Sequence, residues 1–143
     1  MTIMSIKVVV ASDHAGINLR NEGLKILREL GLAVEDLGPS TPDSVDYPDF
    51  AKKVADLVGQ GKAEFGLLVC GTGTGMAIAA NKVRGVRAAK CTSEFEARMA
   101  RAHNDANVLC LGERITGPGL GGAIVRAFFE EKFEGGRHAK RVE

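Results

Sequence analysis

The chain of 143 residues contains no tryptophan, one tyrosine, four prolines and three cysteines. Three cysteines are an odd number, and none stands in a paired CxxC spacing, so a disulfide framework is not expected and a reducing, cytoplasmic setting fits best. No apolar run approaches the roughly 18 residues of a membrane-spanning helix. The opening MTIMSIKVVVASDHAG carries a short apolar run that ends in Asp13 and His14 without a small-residue cleavage site, and reads as a first strand and not as a signal peptide. Charge of one sign is also missing: 19 basic against 18 acidic residues leave a formal net charge of +1. No global field therefore points to nucleic acid or to an anionic membrane, and any anion must be held by a local cluster.

What is present is a regular alternation. Hydrophobic residues make up 45% and charged residues 26%, ordinary values for one globular domain with a real core. IKVVVAS is β-branched, and NLRNEGLKILRELG places its leucines and isoleucine largely on a helical period, with Gly31 as a natural C-cap. LAVEDLG alternates like a strand. The turn-rich PSTPDSVDYPD leads to Pro48, suited to the first turn of a helix through DFAKKVADLVGQG. The cycle continues as FGLLVC, GMAIAANKV, GVRAAKC, SEFEARMARAHN, ANVLCLG and GLGGAIVRAFFEEKF. Five strands, each followed by a helix, predict an α/β fold: a single doubly wound, Rossmann-like domain with a parallel sheet covered on both faces. The expected strand order is 2-1-3-4-5. Ligands of such folds bind beyond the carboxyl ends of the strands where strand order reverses, which brings the turns SDHAG and CGTGTG to one crevice.

The second turn is the more unusual. Gly71, Gly73 and Gly75 permit positive φ and a convergence of backbone N–H groups on an anion, at the start of a helix. Familiar phosphate loops do not fit: GxGxxG needs glycine, and a cysteine phosphatase loop needs arginine, where Met76 stands. GxxxxGK[ST] lacks its lysine. Cys70 closes the preceding strand. A cysteine there is commonly an inert apolar residue, but a thiol beside convergent N–H groups has its anionic form favoured, as a base or nucleophile requires. Cys110, inside NVLCLG, reads as core, whereas Cys91 ends the fourth strand and could approach the site.

His14 lies in the first turn, and His103 with Asn104 ends the fourth helix. We expect both histidines at the same end of the sheet as Cys70. A zinc site is disfavoured because neither CxxC nor HxxxH spacing occurs. Arg114 follows the fifth strand, and the basic tail EGGRHAKRVE carries Arg137 and Arg141 four apart, on one side of a helix, where they could clamp a phosphate. The tail, residues 134–143, need not serve its own crevice and could reach a partner's.

Taken in order, SDHAG, DYPD, CGTGTG, AANK, RAHN and EGGRHAKR resemble the ribose-5-phosphate isomerase B family, which includes the allose and galactose 6-phosphate isomerases. The resemblance runs from Val8 to Arg141. It implies a cytoplasmic aldose–ketose isomerase of pentose phosphate metabolism, needing no metal or organic cofactor, and a homodimer with sites at the interface. Cys70 matches the residue that moves the proton between C2 and C1 through a cis-enediolate, and His103 the one that opens the sugar ring, with Thr72 nearby. The N–H groups of the loop from Gly71 through Gly73 and Thr74 to Gly75, with Asn104, match the anion hole. Asp13, His14 and Tyr47 match residues lining the sugar. Arg114, Arg137 and Arg141 match the phosphate ligands, the tail pair coming from the neighbouring subunit. Some members use a glutamate just after the glycine loop as base; here that position is Met76, which aligns the chain with the cysteine type.

Overall fold

The computed structural model describes residues 6–143. Five parallel strands form one sheet: β1 (Lys7–Ser12), β2 (Ala33–Asp36), β3 (Phe65–Cys70), β4 (Ala88–Lys90) and β5 (Val108–Gly112). The helices between and after them are α1 (Ile17–Glu29), α2 (Tyr47–Gly59), α3 (Thr74–Ala80), α4 (Glu94–Asn104), α5 (Pro118–Glu130) and the short α6 (Ala139–Val142). Every strand and helix anticipated from periodicity is present. Gly31 follows the end of α1 with φ 78°, and Pro48 stands in the first turn of α2. Ser93 caps α4 by accepting the N–H of Glu96 at 3.1 Å.

The strand order is β2-β1-β3-β5-β4, which corrects the expected 2-1-3-4-5. Burial supplies the reason. All five residues of β5 are buried, so that strand needs helices on both faces and takes the inner position beside β3. β4 is only three residues long, is partly exposed, and ends in exposed Lys90, which an edge strand tolerates. Side chains secure this edge: Asn81 bonds the N–H and carbonyl of Ala88, at 2.8 and 2.9 Å, and Asn107 accepts from Arg87 N–H at 2.8 Å. The reversal of strand order still falls between β1 and β3.

Strand alternation divides the core into two layers. Val8, Val10, Leu67, Val69, Leu109 and Leu111 pack against α1, α4 and α5, around fully buried Leu27, Ile124 and Phe128. Val9, Ala11, Leu68, Cys70 and Cys110 face α2 and α3 through Val54, Val58, Met76 and Ala80. Phe65, Phe128 and Phe129 meet edge to face, and the Arg101 guanidinium lies over Phe65 at 4.8 Å. Successive residues of β3 point to opposite layers. Cys70 therefore turns toward α3, whose first residues continue the glycine loop.

The layer assignment also removes Cys91 from the site. It packs with Ala97 and Ala100 of α4 on the opposite face, contrary to the expectation that it could approach, and burial with nearby Glu96 pushes its thiol up to about 12. Cys110 is fully buried, and its pKa is raised by burial, as the core reading expected. No helix among the described residues is long and apolar enough to cross a membrane.

Candidate active site

At the carboxyl edge of the sheet the two unusual turns dock on each other. Asp13 donates its N–H to the carbonyl of Val69 at 3.1 Å, while its side chain caps the following turn through Ala15 N–H at 2.9 Å. The approach is close enough that a Cβ on Gly16 would lie 2.6 Å from the Val69 oxygen. His14 is exposed, and its Nδ1 accepts the N–H of Val45 at 3.2 Å, tying the loop before α2 to this turn.

Cys70 is 5% exposed, and its Sγ accepts the N–H of Gly73 at 3.1 Å. Gly73 has φ 82°, the left-handed conformation that aims this N–H back at sulfur; Gly71 and Gly75 do not need it. Gly75 serves another purpose, because the ring of Tyr47 lies where its Cβ would be, 2.7–3.1 Å away. Thr72 Oγ1 accepts from Thr74 N–H at 3.3 Å. The turn after β5 closes the other side: Glu113 N–H donates to Cys70 O and Arg114 N–H to Gly71 O, each at 2.9 Å. That places the Arg114 guanidinium against Gly71. Asp13, His14, Tyr47, Cys70, Gly71 to Gly75 and Arg114 therefore gather on one edge. Lys90, which sequence reasoning did not single out, joins them by donating to Thr74 Oγ1 at 3.0 Å. Its position on an edge strand gave no local signal.

His103 and Asn104 are elsewhere. They line an open cavity of about 610 Å³ with Asn81, Arg87, Ala88, Ala106 and the tail residues His138 and Arg141. These neighbours mark the amino edge of the sheet, since Ala88 begins β4 and Ala106 precedes β5. The expectation that His103 shares the end of Cys70 is thus corrected. A helix following a parallel strand runs back down the sheet, and its last turn finishes where the next strand starts. Along β5, four steps of about 3.3 Å put about 13 Å of strand between the two edges.

The tail folds against this lower cluster. Glu134 N–H donates to Ala102 O at 3.0 Å, and the imidazoles of His103 and His138 stack with centroids 4.2 Å apart and planes 14° from parallel. Burial, reinforced by neighbouring His103 and Arg137, holds the His138 pKa below the ordinary imidazole value. In sequence His138 and Glu134 belong to the basic tail, and their spacing of four is the one local signal that they share a face.

The edge around Cys70 can thus hold an anion on backbone N–H groups and arginine, with a sulfur atom at its rim. Family comparison gives that arrangement its context. A family model described as Ribose/Galactose Isomerase matches residues 8–143. The chain belongs to this family. The isomerase is 43% identical to ribose-5-phosphate isomerase B of Escherichia coli over 137 residues, covering 96% of this chain and 92% of the relative. It superposes on the solved ribose-5-phosphate isomerase B of Clostridium thermocellum with a TM-score of 0.93 and 50% identity, over 96% and 93% of the two chains. The Mycoplasma genitalium enzyme, solved with bound ribulose-5-phosphate, gives 0.93 and 45%, over 98% and 93%. Membership and these likenesses establish an aldose–ketose isomerase.

Proposed function

We propose that the isomerase interconverts ribose 5-phosphate and ribulose 5-phosphate, with Cys70 as the proton-transfer base. The observation that carries this reading is the sulfur at the rim of the glycine turn, 3.1 Å from the Gly73 nitrogen and beside Arg114 at Gly71. Removing a proton next to a carbonyl needs a base and a shelter for the oxyanion that develops. Sulfur takes the C2 proton of the open-chain sugar, the N–H groups from Gly71 to Gly75 stabilise the cis-enediolate, and return of the proton to C1 gives the ketose. Asp13, His14 and Tyr47 line the sugar, and Arg114 holds the phosphate. The bound ribulose-5-phosphate in the Mycoplasma genitalium relative supports a phosphopentose substrate.

His103, Asn104 and Arg141 lie at the opposite sheet edge from Cys70, with Arg137 in the adjoining tail, which supports assigning ring opening, anion binding and phosphate binding by these residues to the crevice of a second copy. A homodimer in which each chain lends its lower cluster to the other's upper crevice completes two equivalent sites, as two-fold symmetry requires. Thr72 then assists His103 of the second copy.

The test is exchange of the C2 proton of ribose 5-phosphate with solvent deuterium. Cys70→Ala should abolish exchange and isomerisation together while phosphosugar binding persists. Exchange that survives the substitution would exclude sulfur as the base. A higher kcat/KM for allose 6-phosphate than for ribose 5-phosphate would move the substrate to a six-carbon sugar.

A further inference from the structure

The lower cluster holds a donor set that proton transfer between sugar carbons does not require. His103 Nε2 lies 3.7 Å from one oxygen of the Glu134 carboxylate, and His138 Nε2 lies 3.5 Å from the other. Both separations exceed the roughly 2.7–3.2 Å of an N–H···O hydrogen bond. They match another geometry. Donors about 2.0–2.1 Å from a tetrahedral zinc-class ion stand about 3.4 Å from one another. The ligand atoms of all three residues already lie within 4.8 Å of one another, so the widest separation must close by about 1.4 Å, and one imidazole must turn out of the stack, because lone pairs of rings 14° from parallel do not converge on one ion.

The scaffold permits that closure. His103 is fixed on α4, and His138 is 6% exposed in a turn held by its N–H to Gly135 O at 3.0 Å. The Glu134 backbone is anchored to Ala102, but its side chain is 56% exposed and free to rotate. Two imidazoles and one carboxylate select zinc, cobalt, nickel or copper over magnesium or calcium. The adjoining cavity leaves room for water at a fourth position. Arg87 and Arg141 line the same cavity and Arg137 adjoins His138, so cationic repulsion keeps the site reversible rather than structural.

We propose that His103, Glu134 and His138 bind one zinc-class divalent cation per chain, and that its binding reversibly inhibits the isomerase by occupying the His103 imidazole. The inhibition, though not the binding, rests on the ring-opening role given to His103.

Cobalt(II) chloride titrated into the full-length protein tests the site. One equivalent per chain should develop visible d–d bands without a thiolate-to-cobalt charge-transfer band, and zinc should displace it. Glu134→Gln and His138→Gln should each weaken binding about tenfold or more, while Cys70→Ser leaves it unchanged. Zinc should lower turnover of ribose 5-phosphate, EDTA should restore it, and inhibition in each variant, taken against its own metal-free rate, should follow its cobalt affinity. A charge-transfer band that vanishes in Cys70→Ser, undiminished wild-type affinity in both tail variants, or absence of stoichiometric binding would overturn the site. Stoichiometric cobalt binding with undiminished turnover would overturn the inhibition alone.

Discussion

If Cys70 and His103 act in one site although about 13 Å of strand separates their edges, two inactive variants should rescue each other. Cys70→Ala retains an intact lower cluster, and His103→Ala retains an intact upper crevice. In a mixed dimer one site combines both lesions, while the other combines Cys70 of one chain with His103 of its partner. Random reassortment of equal amounts makes half of the dimers mixed, each with one working site of two, so about one quarter of wild-type activity should return. Mixing wild type with the Cys70→Ala/His103→Ala double variant should do the reverse. Each mixed dimer then has no complete site, and the activity per wild-type chain should fall to about half. The assay is isomerisation of cyclic ribose 5-phosphate after subunit exchange, with mixed dimers counted by native mass spectrometry on tagged chains. No recovery in the first mixture, with exchange verified, would refute the division of the site between copies.

Three further outcomes follow from the geometry. Gly73→Ala places a Cβ 3.0 Å from the Leu111 carbonyl carbon at φ 82°, a conformation costing about 1–2 kcal/mol. The shifted N–H should reduce kcat by about 10²-fold with a modest fall in Tm; unchanged kcat would separate the loop from catalysis. Iodoacetamide at mildly alkaline pH should leave Cys91 and Cys110 unmodified in the folded protein, because burial raises both thiols, and peptide mapping should find any native label on Cys70; early labelling of Cys91 would contradict its packing. The Glu96 carboxyl is held below the ordinary value, chiefly by the Thr92 hydroxyl at 2.6 Å with help from the Thr92 N–H at 2.7 Å. Its stabilising contribution is present at neutral pH and is lost as pH falls through that lowered value. Glu96→Gln should therefore lower Tm slightly at pH 7 and less at acid pH; a deficit that grows on acidification would contradict the sign.

The glycine turn and its thiol were legible because their chemistry is local. A cysteine closing an apolar strand, followed by alternating glycines, can be read from a dozen residues, and the structure puts Gly73 N–H on that sulfur as the pattern implied. Helix ends were legible for the same reason, through Gly31, Pro48 and the turn before α2. His103 is a different case. Periodicity identifies its helix, but which end of the sheet the histidine reaches follows from the return direction of a helix after a parallel strand, and not from the residues around it. Glu134 and His138 lay within the basic tail, and only their packing beneath α4 joins them to His103.

Local pattern was sufficient for the alternation of strands and helices, the glycine turn, and the order of motifs that marks the family, since propensity, capping and periodicity act over a few residues. Tertiary structure alone decided that β5 lies inside β4, that Cys91 faces away from Cys70, and that the candidate residues form two clusters at opposite edges. Those outcomes depend on competition between distant segments for buried positions, and such competition leaves little trace in any single stretch of chain.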